Sequence, residues 1–395
     1  MSGELTFAPT ARRHYSDSAV IGVERALRRG RLSVVFGRQT MAFENDFARY
    51  IGAKYAVAVS SGSTGLDLAL QCVGVSLGDE VVVAGFTFPG TINAVVRNLG
   101  IVRFADIDPD TWNLSATTVE PVISNKTKAI VVSHLFGAPA SMSGLVDLAH
   151  AHGVQLIEDC AQALGATIDE RLVGTFGDIA VYSFNEIKNM STGEGGIVVV
   201  KTADLAERCR LLRLYAMSGG ELLDVGHKCT MTELEAAVGR AQLAELPTQN
   251  KLRSELGTRL ASRLEVGTRL VPQRVPYGGT HAYSRFVFMV ADGDDSADLS
   301  KRLEIKGFYA RKVYPSPIYH HTLFRDWATG NPRPGLASGY RRVYASNPIW
   351  EEYRNLDLEM CEKIARTHLG FVVTESSTIS DADNFADALE GMVPA

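Results

Sequence analysis

Between residues 55 and 200 the chain repeats one pattern: a short apolar run rich in β-branched residues, then a stretch compatible with a helix. The runs are Ala56–Ser60, Glu80–Ala84, Ile101–Ala105, Ala129–His134, Gln155–Glu158, Ile179–Phe184 and Gly196–Val200. Gly65–Val73, Thr91–Leu99 and Gly144–His152 are helix-compatible stretches between them. A tight turn suffices for antiparallel neighbours, whereas parallel neighbours need a long crossover, usually a helix. The alternation therefore predicts an α/β fold with a large, mainly parallel seven-stranded sheet covered by helices. Such sheets bind ligands beyond the C-terminal ends of their strands, so function is sought in the residues that follow each run.

The flanks read differently. Ala19–Arg29 and Thr40–Ile51 are candidate helices, the second with Phe43, Phe47, Tyr50 and Ile51 on one apolar face. Met231–Leu246 is a third, with Thr230 and Glu233 as a T-x-x-E capping box and Pro247 as its end. Beyond it, Arg285–Val290 and Phe308–Tyr314 read as strands, and Asp298–Ile305 and Leu356–Thr367 as helices. Residues 327–340 carry glycine and proline at loop density. The 395 residues divide into a large domain, 1–250 with a helical arm at 1–54, and a smaller α+β domain, 251–395.

A net charge of −5 gives no general attraction to nucleic acid or anionic membranes. No apolar run reaches the roughly 18–20 residues of a membrane span, and the first residues lack a signal-peptide pattern. Cys72, Cys160, Cys209, Cys229 and Cys361 are scattered and read as reduced thiols, which suits the cytoplasm. His150 and His152, two apart on a helix, do not share a face, and no metal site is expected.

Three segments carry chemistry. Ser60-Ser61-Gly62-Ser63-Thr64-Gly65 joins a strand to a helix N-terminus, where amides, hydroxyls and the helix dipole suit a phosphate. Plain capping through Thr64 and Asp67 is the competing reading. Leu156-Ile157-Glu158-Asp159-Cys160-Ala161-Gln162 puts two carboxylates at a strand's C-terminal end, where an acid can keep a heterocycle's nitrogen protonated or merely cap a turn. Val181 to Gly196 ends a strand, places Lys188 a turn later and closes with glycines before the next strand. A lysine in that crevice can form a Schiff base; a lone lysine is otherwise a solvated surface group. The glycines precede a strand, so they do not make a dinucleotide fingerprint. Taken in order, the phosphate turn, Asp159, Ser183 and Lys188 are the parts required by an aldehyde cofactor with a pyridine ring and a phosphate tail. Phe88 in Gly85-Phe86-Thr87-Phe88-Pro89 offers a face for that ring.

At these residues the chain resembles the DegT/StrS family of sugar aminotransferases, which have the type I (aspartate aminotransferase-like) fold and use pyridoxal 5′-phosphate. The likeness runs from about residue 17 to 250 and more faintly beyond. It rests on Phe43-Glu44…Phe47-Ala48, Ser60-Ser61-Gly62-Ser63, Gly85-Phe86-Thr87-Phe88, Asp106-Ile107-Asp108, His134-Leu135-Phe136-Gly137, Glu158 to Gln162, Ser183 to Lys188, Thr192 to Gly196 and Met231 to Ala237. The resemblance implies Lys188 as the Schiff-base lysine, Asp159 as the partner of the pyridinium nitrogen, and Gln162 beside the ring. It implies Phe88 stacked on the ring, and Gly62, Ser63, Thr64 and Ser183 around the phosphate. It further implies a homodimer in which the segment before Met231 reaches the neighbouring subunit's phosphate. Glutamate or glutamine would be the amino donor, and a nucleotide-linked keto-sugar or a keto-cyclitol the acceptor.

The chain departs from that pattern in three places. Lys228 stands where the family has Asn, and can meet a phosphate as a point charge. Thr230 replaces an Arg, a change read as helix capping. Tyr314-Pro315-Ser316-Pro317-Ile318-Tyr319, followed by His320, varies a Tyr-Pro-x-Pro-x-His motif near the substrate, which makes Tyr314, Tyr319 and His320 candidate substrate contacts. The competing functions are a sugar dehydratase of the same family, which carries His in place of the lysine, a cofactor-binding regulator without catalysis, and a nicotinamide dehydrogenase.

Overall fold

The structure is a computed structural model that describes residues 5–7, 13–290, 296–345 and 347–395. All seven apolar runs form strands: β1 (Tyr55–Val59), β2 (Glu80–Ala84), β3 (Ile101–Ala105), β4 (Thr127–Ser133), β5 (Gln155–Asp159), β6 (Ile179–Ser183) and β7 (Gly196–Val200). They make one sheet in the order β1-β7-β6-β5-β4-β2-β3. The five strands from β6 to β3 are parallel, and β7 runs antiparallel to both of its neighbours. Side chains alternate between the faces. Val181, Val198 and Val57 pack into one core, and Tyr182, Ile197 and Ala58 into the other. Helices bury both faces, which is why the strands read as unbroken apolar runs.

The helices of this part are α1 (Asp17–Arg29), α2 (Gln39–Ile51), α3 (Gly62–Cys72), α4 (Pro89–Arg97), α5 (Met142–His152), α6 (Ala203–Leu212) and α7 (Glu233–Gly267). Two sequence expectations about α7 are corrected. Its capping box is Thr232 with Glu235, not Thr230 with Glu233; Thr230 instead bridges to Val59. The helix also runs through Pro247 for 35 residues. A proline inside a helix costs roughly 3 kcal/mol. Here Leu243 and Leu246 before it and Leu256, Leu260 and Leu264 after it are buried in two successive cores, and that burial outweighs the cost.

Freed from the capping box, Glu233 points across to α2. Its carboxylate accepts the amides of Arg38 at 2.7 Å, Gln39 at 2.6 Å and Thr40 at 3.0 Å, and the Thr40 hydroxyl at 2.7 Å. An acid supplied by another helix thus satisfies the open N-terminus of α2. Gly37 makes room for it, since a Cβ there would lie 1.9 Å from the Glu233 carboxyl carbon.

A second, antiparallel sheet has the order β8 (Val271–Pro272), β9 (Arg285–Met289), β10 (His368–Val372). It packs with α8 (Ser296–Ile305) and the second half of α7. The expected strand Phe308–Tyr314 does not form. Phe308 bridges to Thr6 and Arg311 to Gly370, and Pro315 and Pro317 prevent further pairing. Residues 327–340, expected as loop, are loop only from 329 to 335; their two ends lie in α9 (Thr322–Ala328) and α10 (Leu336–Val343), and α11 (Ile349–Asn355) follows. Prolines 332, 334 and 348 sit at their joins. Trp327, Tyr340, Trp350 and Tyr353 form an aromatic stack. Tyr340 and Tyr353 donate to the carbonyls of Gly100 and Val102 at 2.7 and 2.6 Å. They thereby cover β3, the open edge of the large sheet. Then follow α12 (Glu359–Thr367), shorter than the expected Leu356–Thr367, and α13 (Ile379–Met392). No helix among the described residues is long and apolar enough to cross a membrane.

Glu233→Ala leaves the buried amide and hydroxyl of Thr40 and the part-buried amides of Arg38 and Gln39 without this acceptor. It should lower the unfolding free energy by about 2–4 kcal/mol, read as a lower denaturant midpoint. A change under about 0.5 kcal/mol, the range of neutral surface substitutions, would show that the α2 N-terminus does not depend on this contact.

Candidate active site

The two acids at the end of β5 face opposite ways and meet opposite fates. Glu158 is fully buried, and its oxygens accept the amides of Gly174, Phe176 and Gly177 and face His134 Nε2 at 3.0 Å. His134 Nδ1 accepts the Ala140 amide at 3.0 Å, so Nε2 is the nitrogen left to donate to Glu158. Burial alone would raise the Glu158 carboxyl, but His134 and the amides hold it below its usual value. Cys160 also lies close to this pair. Glu158 is therefore a structural acid that knits β4, β5 and the 174–177 turn together.

Asp159 points to the ligand edge. Its carboxylate accepts only the Ala161 amide at 3.1 Å and the Thr91 hydroxyl at 3.2 Å, with the Ser133 hydroxyl at 3.5 Å. Burial raises its carboxyl, against the pull of the Ala161 amide and the Lys188 charge.

Lys188 sits in the turn after β6, half-buried, and its amine has no hydrogen-bond partner among the described residues. Burial pushes it down to about 8; Asp159 opposes that shift and Arg285 adds to it. The turn is gripped from several sides. Arg13 donates to the Lys188 carbonyl and to Gln242, and pairs with Glu375 at 3.2 Å. Asn189 donates to the Ala282 carbonyl at 2.9 Å and to Asn250 at 3.3 Å.

The phosphate candidate is the start of α3. Ser61, not Thr64, is the N-cap: its hydroxyl takes the Thr64 amide, and the Thr64 hydroxyl takes the Ser61 amide and donates to the Ser61 carbonyl. The capping reading of Thr64 is thus realised, with Ser61 as its partner instead of Asp67. Among the described residues the amides of Gly62 and Ser63 have no acceptor, and the Ser63 side chain is exposed. Gly62 brings this first turn against β6, where a Cβ would lie 2.8 Å from that of Ser183. Phe88 caps α4 beside Ser63, and its ring is 49% exposed, open to a ligand face.

The opposite wall is aromatic. Gln162 accepts the Phe136 amide at 3.0 Å and donates to the Tyr314 hydroxyl at 3.1 Å. Tyr314 stacks on Phe136 and meets Phe86 edge-on. Behind them His368, fully buried and held neutral with its ring pushed down to about 4 by burial, accepts the Val313 amide. The structure thus gathers Asp159, Lys188, Gln162, Ser183, Tyr314 and the α3 turn at one edge. It does not bring Tyr319 or His320 to them. The Tyr319 hydroxyl donates to Glu362 at 2.7 Å, its ring packs by Phe104, and His320 shares the same acid. Lys228 is exposed and lines a cavity of about 170 Å³ with Thr64, Asp67 and Arg97 of its own chain. Arg285, at the start of β9, is the group that sequence reading missed; it lies in a segment read only as a strand.

The sequence profile of the DegT/DnrJ/EryC1/StrS aminotransferase family matches residues 17–364. The chain belongs to this family. It is 33% identical over 371 residues to the L-glutamine:2-deoxy-scyllo-inosose aminotransferase of Streptomyces fradiae, covering 87% of this chain and 83% of that one. It is also 33% identical over 298 residues to the UDP-N-acetyl-3-dehydro-alpha-D-glucosamine 3-aminotransferase of Acidithiobacillus ferrooxidans, covering 75% and 80%. Among solved structures, an aminotransferase from Psychrobacter cryohalolentis superposes with a TM-score of 0.82 at 26% identity, over 97% of this chain and 98% of that one. The protein is an aminotransferase with the α/β fold of the pyridoxal-phosphate-dependent aminotransferases.

Because burial lowers the Lys188 amine to about 8, its reactive neutral form grows as pH rises through that value. Labelling of Lys188 in cofactor-free protein by an amine-specific reagent should be half-maximal near pH 8, while exposed lysines follow near pH 10. Asp159 favours the charged amine, so Asp159→Asn should move the midpoint lower still. A Lys188 profile that tracks the exposed lysines contradicts the site as described.

Proposed function

We propose that this aminotransferase moves an amino group from glutamate or glutamine to the keto carbon of a nucleotide-linked keto-sugar or a keto-cyclitol, using pyridoxal 5′-phosphate at Lys188. The observation that carries the reading is the under-satisfied Asp159 carboxylate within electrostatic reach of an unpartnered, desolvated lysine amine at the strands' C-terminal edge. The relatives' own substrates, an amino-sugar precursor in one case and an inosose in the other, support the acceptor class.

The residues present fit the cofactor. Asp159 is buried with few donors, as a carboxylate awaiting a cationic N–H would be. The free amides of Gly62 and Ser63, with the Ser183 hydroxyl beside them, suit a phosphate. Phe88 offers the ring a face, and Gln162 an amide beside it. Thr64 contributes by holding the cap rather than through a free donor. Pyridoxal phosphate, when bound, supplies an aldehyde that condenses with amines and a ring that accepts electrons. Asp159 then keeps the ring nitrogen protonated, so that negative charge developing on the substrate carbon is stabilised. The Lys188 amine, once released, would take the proton from the amino-bearing carbon and deliver it to the carbon that the cofactor's aldehyde supplies. The aromatic wall of Phe86, Phe136 and Tyr314 limits water. The presence of Lys188 speaks against the dehydratase reading.

The same reading includes a homodimer. Val35, Phe36, Met41, Leu222, Leu223 and Val225 are exposed, as apolar residues of a subunit interface would be in a single chain. Lys228, on the segment beside Val225, would approach the neighbouring subunit's phosphate. Five free cysteines agree with a reducing cytoplasm.

Borohydride reduction of the purified protein followed by peptide mapping should leave a phosphopyridoxyl group on the Lys188 peptide. Lys188→Ala should stay folded and lose amino transfer. Asp159→Asn should lower its rate about 100-fold or more, as losing one electrostatic contact to the transition state does. A folded protein given pyridoxal phosphate that yields no adduct would overturn this reading, and an adduct without amino transfer would favour the cofactor-binding regulator.

A further inference from the structure

Arg285 is half-buried at the first position of β9. Among the described residues its guanidinium has no carboxylate and no hydrogen-bond acceptor. Other poorly exposed arginines find acceptors: Arg213 meets Glu44 at 2.6 Å, Arg13 meets Glu375 at 3.2 Å, and Arg253 donates to Asn250 at 3.3 Å and to the Val373 carbonyl at 3.4 Å. Arg285 follows directly on a segment that lies against the site: the Ala282 carbonyl accepts the Asn189 side chain at 2.9 Å, one residue from Lys188, and a Cβ on Gly137 would lie 3.0 Å from the Ser284 amide. The Arg285 charge is felt at the Lys188 amine and the Tyr314 hydroxyl. Removing a cation from water without a counter-ion is unfavourable, and among the described residues no carboxylate compensates it.

Position decides which anion fits. The cofactor's phosphate has its own cradle at the α3 turn, on the β6 side. Arg285 enters from the second sheet, at the Tyr314 wall, close to the amine that handles the substrate's nitrogen. In an α-amino acid the carboxylate sits on the carbon that bears the nitrogen, so an anion must lie one carbon from the reacting bond. In a nucleotide-linked sugar the diphosphate is several bonds from the keto carbon. A planar guanidinium also matches a carboxylate edge with two parallel hydrogen bonds.

We propose that Arg285 is the donor-specificity residue, binding the α-carboxylate of the incoming amino acid. This rests on the reading of the site as an amino-acid-dependent transaminase. Arg285 then alternates partners, since the keto acceptor brings no carboxylate at that position. Its charge favours amino-acid donors over simple amines.

The test uses the cofactor-loaded enzyme and follows the cofactor's absorbance after mixing with L-glutamate or L-glutamine. Arg285→Gln should bind the cofactor normally yet raise the half-saturating concentration of the donor by about 10- to 100-fold, the loss typical of one charge-assisted pair. Arg285→Lys, which keeps charge without the fork, should fall between, and serves alone if the Gln variant does not load. The wild type should prefer the donor over its α-amide by a similar factor, and Arg285→Gln should treat the two alike. Unchanged half-saturation in Arg285→Gln overturns the assignment, as does a wild type indifferent to the α-amide. A loaded wild type that responds to neither amino acid removes the donor reading itself, and the proposal with it.

Discussion

A carboxylate and an amine, both taken out of water at the end of one sheet, set the conditions for everything around them. Burial pulls each toward its neutral form, Asp159 upward and Lys188 down to about 8, while each partly restores the other's charge. Such a balance survives only if no further negative charge intrudes. The nearest threat is Glu158, adjacent in sequence and wholly buried. Strand alternation turns it to the other face, where three amides and His134 absorb its charge. The paired acids of β5 thus divide the labour: one fixes the backbone, the other is left with spare acceptor capacity.

A poised lysine is useful only if it is held still, and the hold on Lys188 is distributed. The turn that carries it is bonded to Arg13 from the N-terminal arm and, through Asn189, to Asn250 of α7 and to Ala282 just before β9. Ala282 in turn donates its amide to Gly137, beyond β4. Three separate parts of the chain therefore meet behind one side chain. This explains why α7 persists through Pro247: ending the helix there would remove Asn250 from the turn and the second half's leucines from their core.

Much of this was legible in sequence because it follows from local periodicity. Seven buried strands announce themselves as seven apolar runs, and the residues that follow β5 and β6 lie at the ligand edge in any mainly parallel sheet. What was not legible depends on contacts between distant segments. Thr230-x-x-Glu233 and Thr232-x-x-Glu235 are equally good capping boxes on paper, and the choice was made by Thr40 and Gly37, almost 200 residues away. Proline and glycine between 327 and 340 argued for loop; the aromatic residues around them form helices because the edge of β3 needs covering. Tyr319 carried a motif position near the site, yet its hydroxyl is committed to Glu362. Arg285 gave no signal, since a charged residue opening a strand is ordinary until the structure shows no acceptor for it among the described residues.

The two walls of the crevice draw on different parts of the chain, and this bears on how two unlike substrates share one site. The α3 turn, Asp159, Ser183 and Lys188 belong to the large sheet, where both faces are packed and positions are fixed by the strands. Tyr314 and Arg285 come from the later part of the chain, connected to that frame through Gln162 and the stacked rings of Phe136 and Phe86. Gln162 spans the join with one amide: its carbonyl oxygen takes the Phe136 amide and its nitrogen reaches Tyr314. On the proposed reading, the groups for chemistry common to every turnover sit on the rigid frame, and Arg285, which would bind the donor, sits across from it. A change at Arg285 would alter the field at Lys188 but not the strands that hold Lys188 and Asp159, so substrate choice can vary while the frame stays.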